Sequence, residues 1–418
     1  MSTPAHDAAL LRGLTRPRAR GPLTRRDALR AAGLSAAGLG LAACGVQGRT
    51  TAPPEKDAVA EYWTGKQQNG TLRFANWPLY IDKAGKRYPT LERFTRDTGI
   101  RVTYREAIQD NPSWFGKIQP QLAANQDIGY DLMVMTNGIH LGRAMALGYL
   151  VPLDHSRLPT FAANAGPRFK DPAYDPGNVY TVPWQSGITG IAYNPKYVDE
   201  EITRIADLWN PRYKGKVGMM VDTQDIANFA LLSLGVDPEY ATEADWRRAA
   251  ARLQEQRDAG IVRKYYENDY VDALVRGDVW VCMAWSGDIF QQVAEGQDLR
   301  FTVPLEGGTI WTDNMCVPKT ARNPVDALTF MDYVYRPPVA TALAEYINYI
   351  PPVPATQDLI RKDAAGADGE DRESLKLLAG SPLIFPAAAD LARLRTYQTL
   401  SGTSEKVFER IFQPVTQG

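Results

Sequence analysis

From Thr71 onward the chain alternates short apolar strands with helical stretches, and it does so in two separate runs. That alternation is the strongest constraint in the sequence, because strands connected through helices pair in parallel within a mostly buried sheet. In the first run Leu72–Ala75 alternates as a strand, Leu91–Asp97 has helical spacing and stops at Gly99, Arg101–Tyr104 is another strand and Phe115–Ala124 another helix. Tyr130–Met135 is a nearly continuous apolar run of the buried-strand type. The second run has a strand at Val217–Val221, helices near Gln224–Leu234 and Asp245–Arg257, and a strand at Val279–Trp285. Two such runs in 418 residues predict an α/β protein with two lobes. No fixed repeat appears, which excludes solenoids and propellers.

Ahead of this body, residues 1–43 carry seven arginines and only two acids, Asp7 and Asp27. Thr24-Arg25-Arg26-Asp27-Ala28-Leu29-Arg30 resembles a twin-arginine export signal. The thirteen residues Ala31–Ala43 are all Ala, Gly, Leu or Ser, well short of the ~20 that span a bilayer. Basic flank, short apolar core and small-residue exit read as a signal peptide. Leu41-Ala42-Ala43-Cys44 resembles a lipobox, whose cysteine is acylated and becomes the new N-terminus; the plainer alternative is a signal peptide with a chance cysteine near its end. The expectation is a lipid-anchored chain, exported folded by the twin-arginine route to the periplasmic space or the outer face of the cytoplasmic membrane. Residues 44–69 show little apolar periodicity and read as a flexible tether, with Glu61-Tyr62-Trp63 docking at its end. No later stretch is long and apolar enough to span a membrane, so the lipid is the expected membrane contact.

Charge removes further classes. Without the leader, 40 basic residues face 46 acidic ones, the wrong balance for a nucleic-acid binder. His6, His140 and His155 lack metal-ligand spacing, so no metal and no cofactor are expected. Cys282 and Cys316 sit in apolar strand-like runs; an oxidising compartment permits a disulfide, but two buried free thiols are the better reading. Residues 361–380 are polar and contain glycines, so they read as a surface loop or mobile insert. Ser381–Pro386 and the periodic segment Leu391–Phe412 read as closing helices.

At Asn76-Trp77-Pro78-Leu79-Tyr80, directly after the first strand, the chain resembles the spermidine/putrescine-binding proteins of ABC importers. The resemblance continues in register through Tyr130-Asp131-Leu132, Gly148–Asp154, Val182-Pro183-Trp184, Ala206–Pro211, Lys214-Gly215-Lys216, Met283–Gly287 and Glu306–Asp313, and ends near Tyr349-Ile350-Pro351-Pro352. It covers about residues 70–357. It implies a two-lobed periplasmic-binding-protein fold of type II, with the ligand in a cleft between the lobes. Projected here, lobe 1 is 70–188 plus 311–357 and lobe 2 is 189–310 plus 358–418. The chain crosses near Trp184–Gly190, near Gly308–Asp313 and after about Tyr349. The implied partners are a polyamine and an ABC permease, and the chain is expected to be a monomer.

A polyamine needs carboxylates for its ammonium groups and aromatic faces for its charge and methylenes. The resemblance assigns such roles to Trp77, Tyr80, Asp222, Asp225, Trp285, Trp311, Asp313 and Tyr349. Each has a plainer structural reading. Trp77, Tyr80 and Tyr349 are also plausible core aromatics, and Asp222 with Asp225 has the spacing of a capping box. Trp311 and Asp313 stand two apart on an extended segment and therefore share a face. Asp288, in the turn after Trp285, reads first as a helix N-cap. In Thr136-Asn137-Gly138-Ile139, Gly138 stands where the family pattern has an aromatic. That wall is missing or comes from Trp184, Trp114 or His140, which leaves the choice of amine open. Two other classes are weighed. The alternative is the same fold with a different solute, such as an amino acid, another amine or an iron complex; these acidic and aromatic positions argue for a cation, which disfavours the amino acid, and no Tyr or His cluster supports iron. A secreted hydrolase using a pair among Asp222, Asp288 and Asp313 lacks any supporting motif, so no enzyme is expected.

Overall fold

The computed structural model describes residues 56–400 and 402–417. The expected signal peptide, Cys44 and the first part of the expected tether lie outside the described residues. The remainder of that tether differs from the expectation. Lys56–Trp63 forms helix α1, and buried Trp63 donates its indole N–H to the Pro152 carbonyl at 2.8 Å. An eight-residue helix, about two turns, with one large anchor is too short to show as periodicity.

The first run folds as β1 (Thr71–Asn76), α2 (Pro89–Thr98), β2 (Arg101–Glu106), α3 (Asn111–Ala123), β3 (Leu132–Thr136), α4 (Ile139–Ala146) and α5 (Pro159–Asn164). The long strand β4 (Thr181–Tyr193) leads to the second run: β5 (Val217–Met220), α6 (Thr223–Ser233), α7 (Glu243–Asp258), β6 (Val262–Tyr266), α8 (Tyr270–Arg276), β7 (Val281–Trp285), α9 (Ser286–Ala294) and β8 (Arg300–Thr302). Strand β9 (Gly308–Cys316) returns, followed by α10 (Pro324–Tyr333), α11 (Pro337–Ile347), α12 (Thr356–Gly366), α13 (Gly369–Gly380), α14 (Ala388–Leu391), β10 (Leu394–Arg395) and α15 (Gly402–Gln417).

All strands join one sheet in the order β2-β1-β3-β9-β4-β7-β5-β6, with β10 on β9 and β8 on β4. Each end is a parallel block: β1 with β2 and β3, and β5 with β6 and β7. The antiparallel pair β4 and β9 stitches the blocks together. Thr181–Thr189 pair with β9, whereas Thr189–Tyr193 pair with β7. Every residue of β4 and β9 is buried. Separate hydrophobic cores flank this pair, one around Phe74, Phe94, Trp184 and Phe330, the other around Phe229, Trp246, Val281 and Phe412. The chain meets β4 again at Ile350, whose backbone exchanges hydrogen bonds with Ser186 at 2.8 and 3.0 Å. The architecture is the two-lobed α/β fold with strand ends facing a cleft.

Two readings need correction. Residues 361–380 are not a loop: α12 and α13 bury Ile360, Ala364, Leu378 and Ala379, which cluster with Phe290 and Ala344. Gly366 and Gly369 mark the junction of two helices whose other faces are charged, and composition alone mistook that for mobility. The segment from Leu391 is not one helix either. Leu394 lies over Gly308, where the absent side chain leaves room, and Leu394–Arg395 add a strand to β9 before α15 begins.

Cys282 and Cys316 are buried free thiols. Their partners on β4 are Ala192 and Thr181, positions separated by about 36 Å of extended strand. No disulfide spans that distance.

Candidate functional site

Strands of a parallel block present their C-terminal ends to one crevice, where loops carry side chains clear of the sheet. Here β1 ends in Asn76, whose carboxamide folds the next turn: Oδ1 accepts from Trp77 N at 2.9 Å and Nδ2 donates to the Tyr80 carbonyl at 3.1 Å. The turn holds Leu79 at φ 56°, an uncommon angle for a branched residue, and Tyr80 after it reaches Asp313 with its hydroxyl. Strand β3 ends in Thr136, β5 runs into Asp222, and β7 ends in Trp285.

Opposite residues of an antiparallel ladder share a face. Asp313 stands opposite both Thr136 and Gln185, Trp311 opposite Gly187, and Thr189 opposite both Thr309 and Trp285. One face of the crossing strands therefore presents Asp313, Trp311, Gln185, Thr189 and Trp285 together. Trp311 fits because residue 187 is glycine; a Cβ there would lie 2.3 Å from Cζ2 of the indole.

The aromatic rings form a continuous series. Tyr80 meets Tyr349 edge-on at 6.0 Å between centroids, Tyr349 meets Trp311 at 5.4 Å, Trp311 meets Trp285 at 6.2 Å, and Trp285 meets Tyr270 at 6.0 Å. Carboxylates attach along the series. Asp313 accepts from the Tyr80 hydroxyl at 2.7 Å and the Thr136 hydroxyl at 2.6 Å. Asp288 accepts from Tyr349 and Tyr270, both at 2.7 Å. Asp225 accepts from Trp285 Nε1 at 3.3 Å and the Tyr397 hydroxyl at 3.1 Å.

These are acids without cations. Asp313 is 5% exposed and Asp225 is 1% exposed. Among the described residues, none of Asp222, Asp225, Asp288 and Asp313 is ion-paired. A buried charge without a partner is costly, so the neutral form gains ground. Burial pushes the Asp313 carboxyl up to about 6, against the two hydroxyls that favour its charge. Burial and then the neighbouring Asp222 push Asp225 up to about 7. Asp288 and Asp222 are also raised by burial. A cation entering here exchanges water for carboxylates and ring faces. One pair at ~4 Å is worth roughly 4 kcal/mol at an effective dielectric near 20, before desolvation.

Several residues take places the sequence did not predict. Asp288 is not an N-cap: α9 begins at Ser286, Trp285 occupies the cap position, and Asp288 in the first turn faces the tyrosines. Asp222 and Asp225 form half a capping box. Asp222 caps α6, accepting from Gln224 N at 2.9 Å and Asp225 N at 3.0 Å, but Asp225 turns to Trp285 and Tyr397 instead of reaching back. Trp184 is out of the site. It sits in the β-bulge between Pro183 and Gln185, off the Gln185–Gly187–Thr189 row, and its ring enters the core against Phe74 and Phe330. The space beside Gly138 is filled by none of the expected rings. Trp114 packs on Tyr130 and His140 on Phe115, while the Gln224 carboxamide accepts from Ile139 N at 2.9 Å and lies 2.4 Å from where a Cβ of residue 138 would stand. Trp77 is half-buried, packs against the lobe 1 cores and makes no ring contact with the series; its indole N–H is buried without a partner. Thr136, Gln185, Thr189, Tyr270 and Tyr397 were missed. For Gln185 and Thr189 the signal was their even spacing from Gly187; Tyr397 carried none.

The model of the bacterial extracellular solute-binding protein family matches residues 90–369. The chain belongs to that family. The solute-binding protein is similar to the spermidine/putrescine-binding periplasmic protein 1 of Haemophilus influenzae, 29% identical over 367 residues that cover 87% of this chain and 94% of the relative. It is also similar to the putrescine-binding periplasmic protein PotF of Escherichia coli, 26% identical over 83% of this chain and 92% of the relative. Among solved structures, the spermidine/putrescine ABC transporter substrate-binding protein PotD of Streptococcus pneumoniae superposes with a TM-score of 0.68 at 24% identity, covering 82% of this chain and 98% of that one. That likeness concerns the fold.

Proposed function

We propose that this solute-binding protein captures a polyamine, a putrescine- or spermidine-like organic cation, between its lobes and delivers it to an ABC importer without chemical change. One observation carries the reading: buried Asp225 and Asp313 and half-buried Asp288, none ion-paired among the described residues, are joined by a single aromatic series spanning the crossing strands. An anionic solute would meet only repulsion from these acids, and an amino acid would bring a carboxylate for which the site offers no basic partner. The names of the relatives, which specify spermidine and putrescine, support the same class.

In this reading Trp77, Tyr80, Asp222, Asp225, Trp285, Trp311, Asp313 and Tyr349 contact the ligand, Asp288 orients Tyr349 and Tyr270, and Trp184 supports the core. The lobes are 70–188 with 311–357 and 189–310 with 358–418, closing about β4, β9 and Ile350. Asp222 is the weakest contributor, because two helix amides already occupy its carboxylate. The protein works as a periplasmic monomer, exported by the twin-arginine route and held by lipid on Cys44; loss of acyl labelling in Cys44→Ser tests the anchor.

Isothermal titration of the purified protein with putrescine, spermidine and spermine tests the ligand class. The expected result is saturable 1:1 binding, micromolar or tighter, for at least one of them. Silence with all three overturns the reading.

A further inference from the structure

Two neutral groups on the site face keep unused acceptor capacity. Gln185 Oε1 and Thr189 Oγ1 are buried in residues 2% and 0% exposed; Gln185 Oε1 makes no hydrogen bond, and the Thr189 hydroxyl makes no well-formed one but stands close enough to the Asp225 carboxylate to favour its charged form, which leaves its lone pairs free to accept. Buried acceptors are satisfied in most folded proteins, and an exception asks for an explanation. The register supplies one. Gln185 is the direct cross-strand neighbour of Asp313, and Thr189 is the direct neighbour of Trp285, whose indole donates to Asp225. Gly187 stands between them with Trp311 over it. The face thus runs from an acid with a neutral oxygen, across an aromatic plate, to a second neutral oxygen beside a second acid.

Resting on the polyamine reading above, we propose that Gln185 and Thr189 are ligand-binding residues that each add a neutral acceptor to an ammonium held by the neighbouring carboxylate. A primary ammonium has three donors, and one carboxylate does not satisfy them all in a dry cleft. Gln185 completes the shell at the Asp313 end and Thr189 completes it at the Asp225 end. The two positions are four residues apart, about 13 Å along the strand. Five bonds of about 1.5 Å, the reach of a four-methylene diamine, span at most about 7.5 Å. A short diamine therefore uses one of these acceptors at a time, and a longer polyamine uses both.

The test is calorimetric titration of wild type, Gln185→Leu, Thr189→Val and Thr189→Ser with spermidine and with putrescine, together with the melting temperature of each empty protein. A hydrogen bond to a charged group is worth about 1.5–3 kcal/mol, so Gln185→Leu and Thr189→Val each weaken spermidine binding about tenfold or more. Thr189→Ser keeps the hydroxyl and binds like wild type. The empty Gln185→Leu variant melts at or above wild type, because the substitution removes an unsatisfied buried atom, and empty Thr189→Ser melts like wild type. If Gln185→Leu does not fold, Gln185→Met carries the same expectation. Unchanged spermidine affinity in both Gln185→Leu and Thr189→Val overturns the proposal, as does a loss of affinity in Gln185→Leu matched by a lower melting temperature. Wild type that binds neither of these amines nor spermine brings down the polyamine reading itself.

Discussion

Gly187 faces Trp311 across the β4–β9 ladder, and the indole fills the place where any side chain at 187 would be. Gly187→Ala must push the ring out of its position. The expected cost is about 1–3 kcal/mol of stability, the usual price of overpacking. Ligand binding is lost with it, because Trp311 links Tyr349 to Trp285. Chemical denaturation and a fluorescence titration check both effects.

Titration of the site acids gives a pH dependence with a definite sign. Asp313 and Asp225 stand near 6 and 7 against an ordinary value of 3.8. Their folded values lie above their unfolded values, so the empty fold holds extra protons between about pH 4 and 7. The stability they contribute is present at acid pH and is lost as pH rises through 6 and 7. Cation binding, which needs the charged carboxylates, strengthens over the same interval. The expected outcome is a polyamine affinity lower by about tenfold or more at pH 5.5 than at pH 7.5. Asp225→Asn flattens the pH dependence of melting in the empty protein, a point that differential scanning calorimetry reads directly.

Asp313 separates charge from shape. Asp313→Asn keeps the volume and loses the anion, so polyamine affinity falls about a hundredfold or more while the empty protein at pH 8 is at least as stable as wild type. Tyr80→Phe removes one of the two hydroxyls that hold this carboxylate. It lowers affinity by about tenfold and displaces the group no further than its remaining bond to Thr136 allows.

Closure has its own contacts. Arg143 of α4 reaches Glu405 and, at 3.0 Å, Glu409 of α15, whereas Gln224 of α6 accepts from the first amide of α4. These bonds tie α4, whose Leu141 and Met145 enter one core and whose Ile139 enters the core of α6 and α15, to those two helices, and they favour the arrangement that makes them over one that does not. Arg143→Ala is expected to speed ligand release up to about fivefold without changing the ligand selected. Stopped-flow tryptophan fluorescence measures that rate.

Much of the fold was legible because strand and helix periods are local. The run Leu132–Met135 is apolar throughout, and α2 stops at Gly99 as read, with a left-handed angle there. What escaped was decided by distant partners. Helices α12 and α13 look like an insert until Phe290 and Ala344 cover their narrow apolar stripes. Trp311 and Asp313 were recognisable as a pair from their spacing alone. Asp288 was not, because its role depends on Tyr270 and Tyr349 arriving from two other segments. Gln224 illustrates the same limit: nothing at 224 announces that residue 138, far away in sequence, leaves room for its amide.

A crystal structure of the protein with spermidine, grown near pH 7.5, bears most directly on the central claim. The account predicts one extended chain lying on Trp311, with one end ammonium within hydrogen-bond reach of Asp313 and the other within reach of Asp225. Spermidine bound elsewhere on the surface, with Asp225, Asp288 and Asp313 still facing only tyrosine, threonine and tryptophan, would contradict it.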